Sequence, residues 1–358
     1  MALLATTNGA AKYREILKEK SSSVVIVEEA GEVLEPHIIT SLSEESLYSK
    51  ETKHLILIGD HLQLRPKVEC YELSTASQRG YNFDISLFER LIKSHFPSTM
   101  LRVQHRMRPY ISNFIRQQTY PTLIDHPTVT TFENIKGVPV NVAFVTHNNP
   151  ESGGDSIDNE KKTKSNKWEA SMCVEIVRYI LLQGYRHDQI TILTPYIGQV
   201  IEILKAMKMK MKDTSAYVNE LDQIEMDHLQ HGIETVCTDI KKAIRCSSID
   251  NFQGEECDII VVSLVRSNSS GNIGFLKEAQ RVNVLLSRAK LGLYIIGNVD
   301  TLKKSAKGVH VWNPVIETLK NDNALLQGFP TLCQLHPEDA IVHISDHTKF
   351  REVCPNGE

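Results

Sequence analysis

At 358 residues, with 41% hydrophobic and 23% charged side chains, the chain has ordinary globular composition and is long enough for two compact domains. A formal net charge of -4 excludes a global attraction to nucleic acid, so any polyanion binding belongs to a local groove. No apolar run approaches the roughly 20 residues that span a bilayer, MALLATTNGAAK has no basic leader, and the seven cysteines are scattered without a CxxC pair, which excludes a disulfide frame. The expected location is cytoplasmic or nuclear, with reduced thiols and no membrane partner.

Several short β-branched runs follow one another: SVVIVE (23–28), HLILIG (54–59), VNVAFV (140–145), ITILTP (190–195), DIIVVSLV (258–265) and LGLYIIG (291–297). They are apolar without alternation, which predicts parallel strands covered on both faces. Helical stretches such as SLFERLIKSHF and NKWEASMCVEIVRYILLQGY lie between them. This rhythm predicts an α/β architecture with ligands at the C-terminal strand ends, where Glu28, Glu29 and Asp60 fall. ESGGDSIDNEKKTKSNK (151–167) reads as a surface loop, and about 205–245 as a helical excursion whose charges form a solvated face. After Trp312 the strand rhythm fades into a tail.

Glu28 and Glu29 stand side by side where a strand ends. Like charges are costly to bury together, so either the pair sits at a solvated tip or it holds something. In GDHLQLRP (59–66), Gly59 and Asp60 close a strand, and Gln63 either belongs to a polar turn or orients a water or a terminal phosphate. Arg106 in QHRMRP (104–109) and Arg288 in RVNVLLSRAK (281–290) are either surface ion-pairing residues or cations that neutralise a phosphoryl group. Between them lies SSIDNFQGEECDIIVVSLVRSN (247–268).

In this order EEAG, GDHLQLRP, QHRM, FQGEECDIIVVSLVRSN and VNVLLSRAK resemble motifs II to VI of superfamily 1 helicases, in the Upf-like branch that includes the nonsense-mediated-decay RNA helicase. The phrase VEEAGEVLEPHI most resembles the NFX-type zinc-finger-containing helicase-like proteins. TTNGAAKY is similar to motif Ic, and ITILTPYIGQ to the segment that touches the nucleic-acid backbone. The resemblance covers roughly residues 1–300. It implies RecA-like parallel sheets of the P-loop NTPase superfamily. The first lobe would occupy residues 1–95 and the second 96–310, with 311–358 leading toward a zinc-finger region.

Roles follow from the same resemblance. Glu28 would ligate Mg²⁺ beside Glu29, and Glu29 would activate the hydrolytic water. Gln63 would sense the terminal phosphate, and Arg106 and Arg288 would meet the nucleotide. Asp60, Gln253, Gly254 and Glu255 would line its site, with Glu255 toward the sugar. Thr6, Thr7, Thr194, Pro195, Tyr196 and Ser248 would hold a single strand. The implied cofactors are ATP and Mg²⁺. The implied partners are single-stranded RNA, with DNA the alternative, and RNA-processing or silencing proteins in surveillance, small-RNA silencing or antiviral responses.

Two departures matter. Glu28 replaces the family's aspartate, and Mg²⁺ tolerates little geometric error. Motif I, GxxxxGK[ST], which cradles phosphates, occurs nowhere in the chain. The first lobe is therefore expected to be incomplete, with apolar faces uncovered, and the chain alone to be a weak or inactive ATPase. The alternative is a non-hydrolysing RNA-binding scaffold, for which Tyr196 and Phe252 offer rings that are otherwise core. Cys333, Cys354 and the histidines at 336, 343 and 347 match no common zinc spacing, and no zinc is expected.

Overall fold

The computed structural model describes residues 3–13, 15, 24–41, 54–152, 164–211, 214–229, 243–333 and 341–352. The middle of the expected surface loop (153–163), parts of the helical excursion (212–213 and 230–242), His336 and Cys354 lie outside them. The chain divides into two compact units, Met1–Met100 and Leu101–Glu358.

In the first unit, helix α1 (Thr7–Lys12) starts where Thr6 Oγ1 accepts the Gly9 amide at 3.0 Å, a local side-chain cap. Strand β1 (Val24–Val27) follows, then helix α2 (Glu35–Ser41), which packs on α1 and buries Ile38, and strand β2 (His54–Leu57). β1 and β2 pair in parallel, Val24 opposite His54 through Val27 opposite Leu57. Coverage on both faces, expected of these strands, is not what is found: Ile26 is 59% and Ile56 44% exposed. Two four-residue strands with short helices cannot cover both faces of a sheet.

Helix α3 (Leu87–Lys93) is capped by Ser86, whose hydroxyl accepts the Glu89 amide at 3.0 Å. Glu89 is also the anchor of the preceding loop. Arg65 forks onto it at 3.0 and 2.7 Å, and donates at 2.7 Å to Thr75 Oγ1, which in turn donates to Asp84 at 2.8 Å. Burial raises the Glu89 pKa, but hydrogen bonds from Arg65 and Lys93 outweigh it and hold the carboxyl below its ordinary range.

The second unit opens with the short parallel pair β3 (Val103–Gln104) and β4 (Ile124–Asp125), joined by helix α4 (Pro109–Gln118), which begins with proline at its first turn. Its main body runs β5 (Val142–Thr146), α5 (Lys167–Leu182), β6 (Ile190–Thr194), α6 (Ile197–Lys210), β7 (Ser215–Tyr217), α7 (Glu220–His228), β8 (Ala243–Ser248) and β9 (Cys257–Ser263). There follow α8 (Ala279–Leu286), β10 (Ala289–Gly297), α9 (Val299–Lys304), α10 (Val309–Asn321) and β11 (Leu325–Leu326). The described residues of the excursion thus include a strand as well as helices.

Among the described residues seven strands form one sheet, ordered β11-β5-β10-β9-β6-β8-β7, in which every pairing is parallel. Alternate residues, among them Val145, Ile192, Val261 and Tyr294, join one core with α5 and α6. Those between them, Phe144, Leu193, Val262 and Leu293, are equally buried on the other face, where α4 packs on β10 and α10 on α4 and β11. Helices on both faces explain the unalternating apolar runs, and the architecture is an α/β parallel sheet of the RecA-like kind expected. Antiparallel β12 (Phe329–Thr331) and β13 (Val342–Ile344) then place Phe329 and Ile344 in the α5 and α6 core.

Candidate functional site

In the first unit the acid pair occupies an exposed strand tip. β1 and β2 end against each other: Ala30 N donates to Ile58 O at 2.8 Å, and Ile58 N to Val27 O at 2.9 Å. The approach is so close that a Cβ on Gly31 would lie 2.6 Å from Asp60 O, and one on Gly59 2.7 Å from Gly31 N. Only glycine fits at either place. Glu29 takes the left-handed conformation, φ +48°, which turns the chain out of the strand. On the neighbouring tip Asp60 accepts the Leu62 amide at 3.0 Å and the Gln63 side-chain amide at 2.9 Å. Glu28, Glu29, Asp60 and Gln63 are therefore gathered at two adjoining strand ends, while Thr6 and Thr7 open α1, with Thr6 engaged as its cap.

The second unit brings the arginines together. Arg288 is 1% exposed, its guanidinium held by Val284 O at 3.2 Å, Ser287 Oγ at 3.2 Å and Glu255 O at 3.3 Å. Arg106 reaches Ser287 O at 3.3 Å and pairs with Glu256. Glu256 also takes Lys290 at 2.7 Å. Burial raises the Glu256 pKa, yet Lys290 and Arg106 prevail and keep the carboxyl below its ordinary range. Glu255 faces elsewhere, onto Arg245 at 3.0 Å, whose guanidinium lies 4.5 Å from the Phe252 ring centre. Gly254 supplies the turn with φ +77°, and Gln253 Oε1 is buried without a hydrogen-bond partner among the described residues. The sequence reading overlooked Glu256, one residue beyond Glu255, and Gln104. Gln104 Oε1 accepts the amides of Arg106 and Met107 at 2.9 and 2.8 Å and so shapes the arginine's loop.

The residues expected to hold a single strand sit at the ends of β6 and β8, where Thr194 is paired with Ser248. Thr194, Pro195, Tyr196 and Ser248 are all buried. Tyr196 accepts from Arg266 at 3.3 Å and stacks on Phe275 at 5.3 Å, and Phe252 is 1% exposed. Thr194 Oγ1 is buried with no partner among the described residues.

Beside them lies a polar network that the sequence did not announce. Glu169, fully buried in the first turn of α5, accepts from Ser263 Oγ at 2.6 Å and Val265 N at 2.8 Å, and meets His147 Nε2 at 2.8 Å. His147 Nδ1 accepts the Asn149 amide at 3.0 Å, so Nε2 carries the proton toward Glu169. Gln199 bridges Asn166 and Ser263. This network surrounds a γ-turn: Arg266 N donates to Leu264 O at 2.8 Å across Val265, whose φ is +72°. A β-branched residue in that region is strained by about 1–3 kcal/mol and persists because its surroundings hold it.

These residues suit a polyphosphate and a hard cation in different degrees. Arg106, Arg288 and Lys290 converge around Ser287 and Glu256, as charge neutralisation needs. Glu28 and Glu29 offer hard oxygens, but no group of three or more acids, histidines or cysteines that could hold a metal occurs among the described residues. That donor set fits Mg²⁺ held by one or two carboxylates, with phosphate and water completing its shell.

A family model described as an AAA domain matches residues 83–300, and a second of the same description matches residues 2–69. The chain is 42% identical over 352 residues to mouse NFX1-type zinc finger-containing protein 1, covering 98% of this chain and 16% of that protein. It is 32% identical to the helicase required for RNAi-mediated heterochromatin assembly 1 of Schizosaccharomyces pombe, over 97% of this chain and 30% of the relative. To the ATP-dependent helicase NAM7 of Saccharomyces cerevisiae it is 30% identical, over 85% and 28% respectively.

The chain belongs to the Upf-like superfamily 1 helicases. Within that family it spans well under two thirds of these relatives, and the acid tip of the first unit and the arginine cluster of the second each lie inside a matched segment.

Proposed function

We propose that this Upf-like chain is part of an ATP-dependent RNA helicase of surveillance or silencing, one that hydrolyses ATP to move along single-stranded RNA. The observation that carries this reading is the meeting of two arginines on one residue: Arg106 donates to the Ser287 carbonyl and Arg288 to its hydroxyl. Cations fixed in this way act on charge that develops at a transferring phosphoryl group and need little reorganisation. Bound ATP with Mg²⁺ supplies the phosphoryl group and its leaving group. Glu29 accepts the proton of the attacking water, Gln63 orients that water from its seat on Asp60, and Glu28 contributes the cation's carboxylate. The names of the fission-yeast and budding-yeast relatives support the helicase activity, and the former supports a link to RNA-directed silencing.

By itself this polypeptide is a poor ATPase. It lacks GxxxxGK[ST], and each charge-assisted phosphate hydrogen bond lost is worth about 1.5–3 kcal/mol, so three losses weaken nucleotide binding by about three powers of ten or more. Titration with a fluorescent ATP analogue, with Arg288→Ala as control, tests the site. Weak saturable binding that disappears in the variant is expected. RNA binding that is indifferent to nucleotide in both proteins replaces this reading with the scaffold. RNA-stimulated phosphate release at ordinary helicase rates overturns the claim of weak turnover. Matched RNA and DNA oligonucleotides decide the strand.

A further inference from the structure

Asp222 belongs to none of the helicase motifs. It lies in the first turn of α7, inside the excursion whose charges look like a solvated face, yet it is wholly buried. A buried carboxylate is costly unless its oxygens are satisfied. Here Oδ2 accepts from Ser247 Oγ at 2.7 Å and Ser248 N at 3.0 Å, while Oδ1 accepts from Ser248 Oγ at 2.6 Å and Asn251 Nδ2 at 2.7 Å. Asn219, the cap of α7, accepts the Asp222 amide at 2.7 Å and donates to Asn251 O at 2.9 Å. The start of α7 is thus fastened to the loop that follows β8.

That loop is fastened in turn to α8. Asp250 receives Arg281 Nε and Nη2 at 2.6 and 2.7 Å, a fork of the kind that fixes orientation as well as distance. Burial lowers the Arg281 pKa, but the Asp250 fork outweighs it and the guanidinium is held above its ordinary value. At the other end of α8, Arg288 closes the circuit on Glu255 O. A line of contacts therefore runs from α7 by hydrogen bonds to Ser248 and Asn251, along the main chain to the adjoining Asp250, and by its fork with Arg281 to the helix that ends beside both arginines.

We propose that Asp222 is a positioning residue, which from the helical excursion fixes the loop carrying Ser248 and, through Asp250 and Arg281, the helix leading to Arg288. The proposal rests on the functional reading above only for what this loop and helix grip.

Hydrogen exchange by mass spectrometry on the full 358-residue chain tests the positioning, and a labelled 12-nucleotide oligo(U) tests the grip. In Asp222→Ala, folded by circular dichroism, exchange at 247–252 and at 281–288 is expected to rise about tenfold, with 142–146 unchanged. Oligo(U) affinity falls about tenfold, and Asp222→Ala with Ser248→Ala is no weaker than the weaker single variant, the signature of one coupled unit. Asp222→Asn is intermediate, because its amide nitrogen cannot accept from Ser248 N or Asn251 Nδ2. If Asp222→Ala does not fold, Asp222→Asn gives the same pattern at its smaller size. Faster exchange confined to α7 and 247–252, with 281–288 unmoved, overturns the proposal, as do additive effects of the Asp222 and Ser248 variants. Failure of the RNA reading looks different: wild type binds no oligo(U), while the exchange pattern is as expected.

Discussion

Glu29 meets two demands with one backbone conformation. Its positive φ turns the chain away from the strand end, and the same turn sets the second acid beside the tip that carries Asp60. The turn is possible because Gly31 and Gly59 let two main chains touch. Gly31→Ala is expected to destabilise the first unit by about 1–3 kcal/mol, since the intruding methyl meets backbone that cannot swing aside. Chemical unfolding followed at that unit checks it, and a change within experimental error refutes the contact. The acids at this tip were legible because a β-branched run ended on them. Asp222 and Glu169 were not, because a carboxylate on a helix reads alike in sequence whether water or a buried hydroxyl receives it. What distinguishes them is a partner far along the chain, such as Ser263 for Glu169.

Among the elements, α5 and the turn after β9 depend on each other. Glu169→Gln places an amide donor against either His147 Nε2–H or Val265 N–H, which are both donors already. The expected cost is about 1–3 kcal/mol, read as a lowered denaturation midpoint with unchanged m-value. The turn that follows β13 carries a pH response of its own. Hydrogen bonds from the Thr348 hydroxyl and then its amide pull the Asp346 carboxyl down to about 2. A pKa depressed in the folded state stabilises fully above the unfolded value of about 3.9, and that contribution is lost as pH falls through the folded value. Asp346→Asn should therefore melt earlier than wild type at pH 7 and converge with it near pH 2; a constant gap across that range refutes the linkage. At this scale the long central strands were legible from their unbroken apolar runs. β7 and β11, of three and two residues, are too short to leave a pattern, and their pairing comes from neighbours they extend.

Over the whole molecule the two units differ in how much they cover. Strands β9 and β10 are buried almost throughout, between strands on either side and helices on both faces, whereas β1 and β2 leave apolar side chains in solvent. Amides of 259–263 and 293–296 are accordingly expected to exchange orders of magnitude more slowly than those of 24–27 and 54–57. Equal protection would mean that the first unit owes its stability to something other than its own core. The large sheet has a further property. Among the described residues its outermost ribbons are its briefest, so few unpaired amides and carbonyls face outward at either flank. Such a sheet gives a stranger's backbone almost nothing to zip onto. Any tendency of the purified polypeptide to clump should accordingly trace to the small strand pair near its beginning, where Ile26 and Ile56 are exposed, and a solubilising charge introduced at either should relieve it.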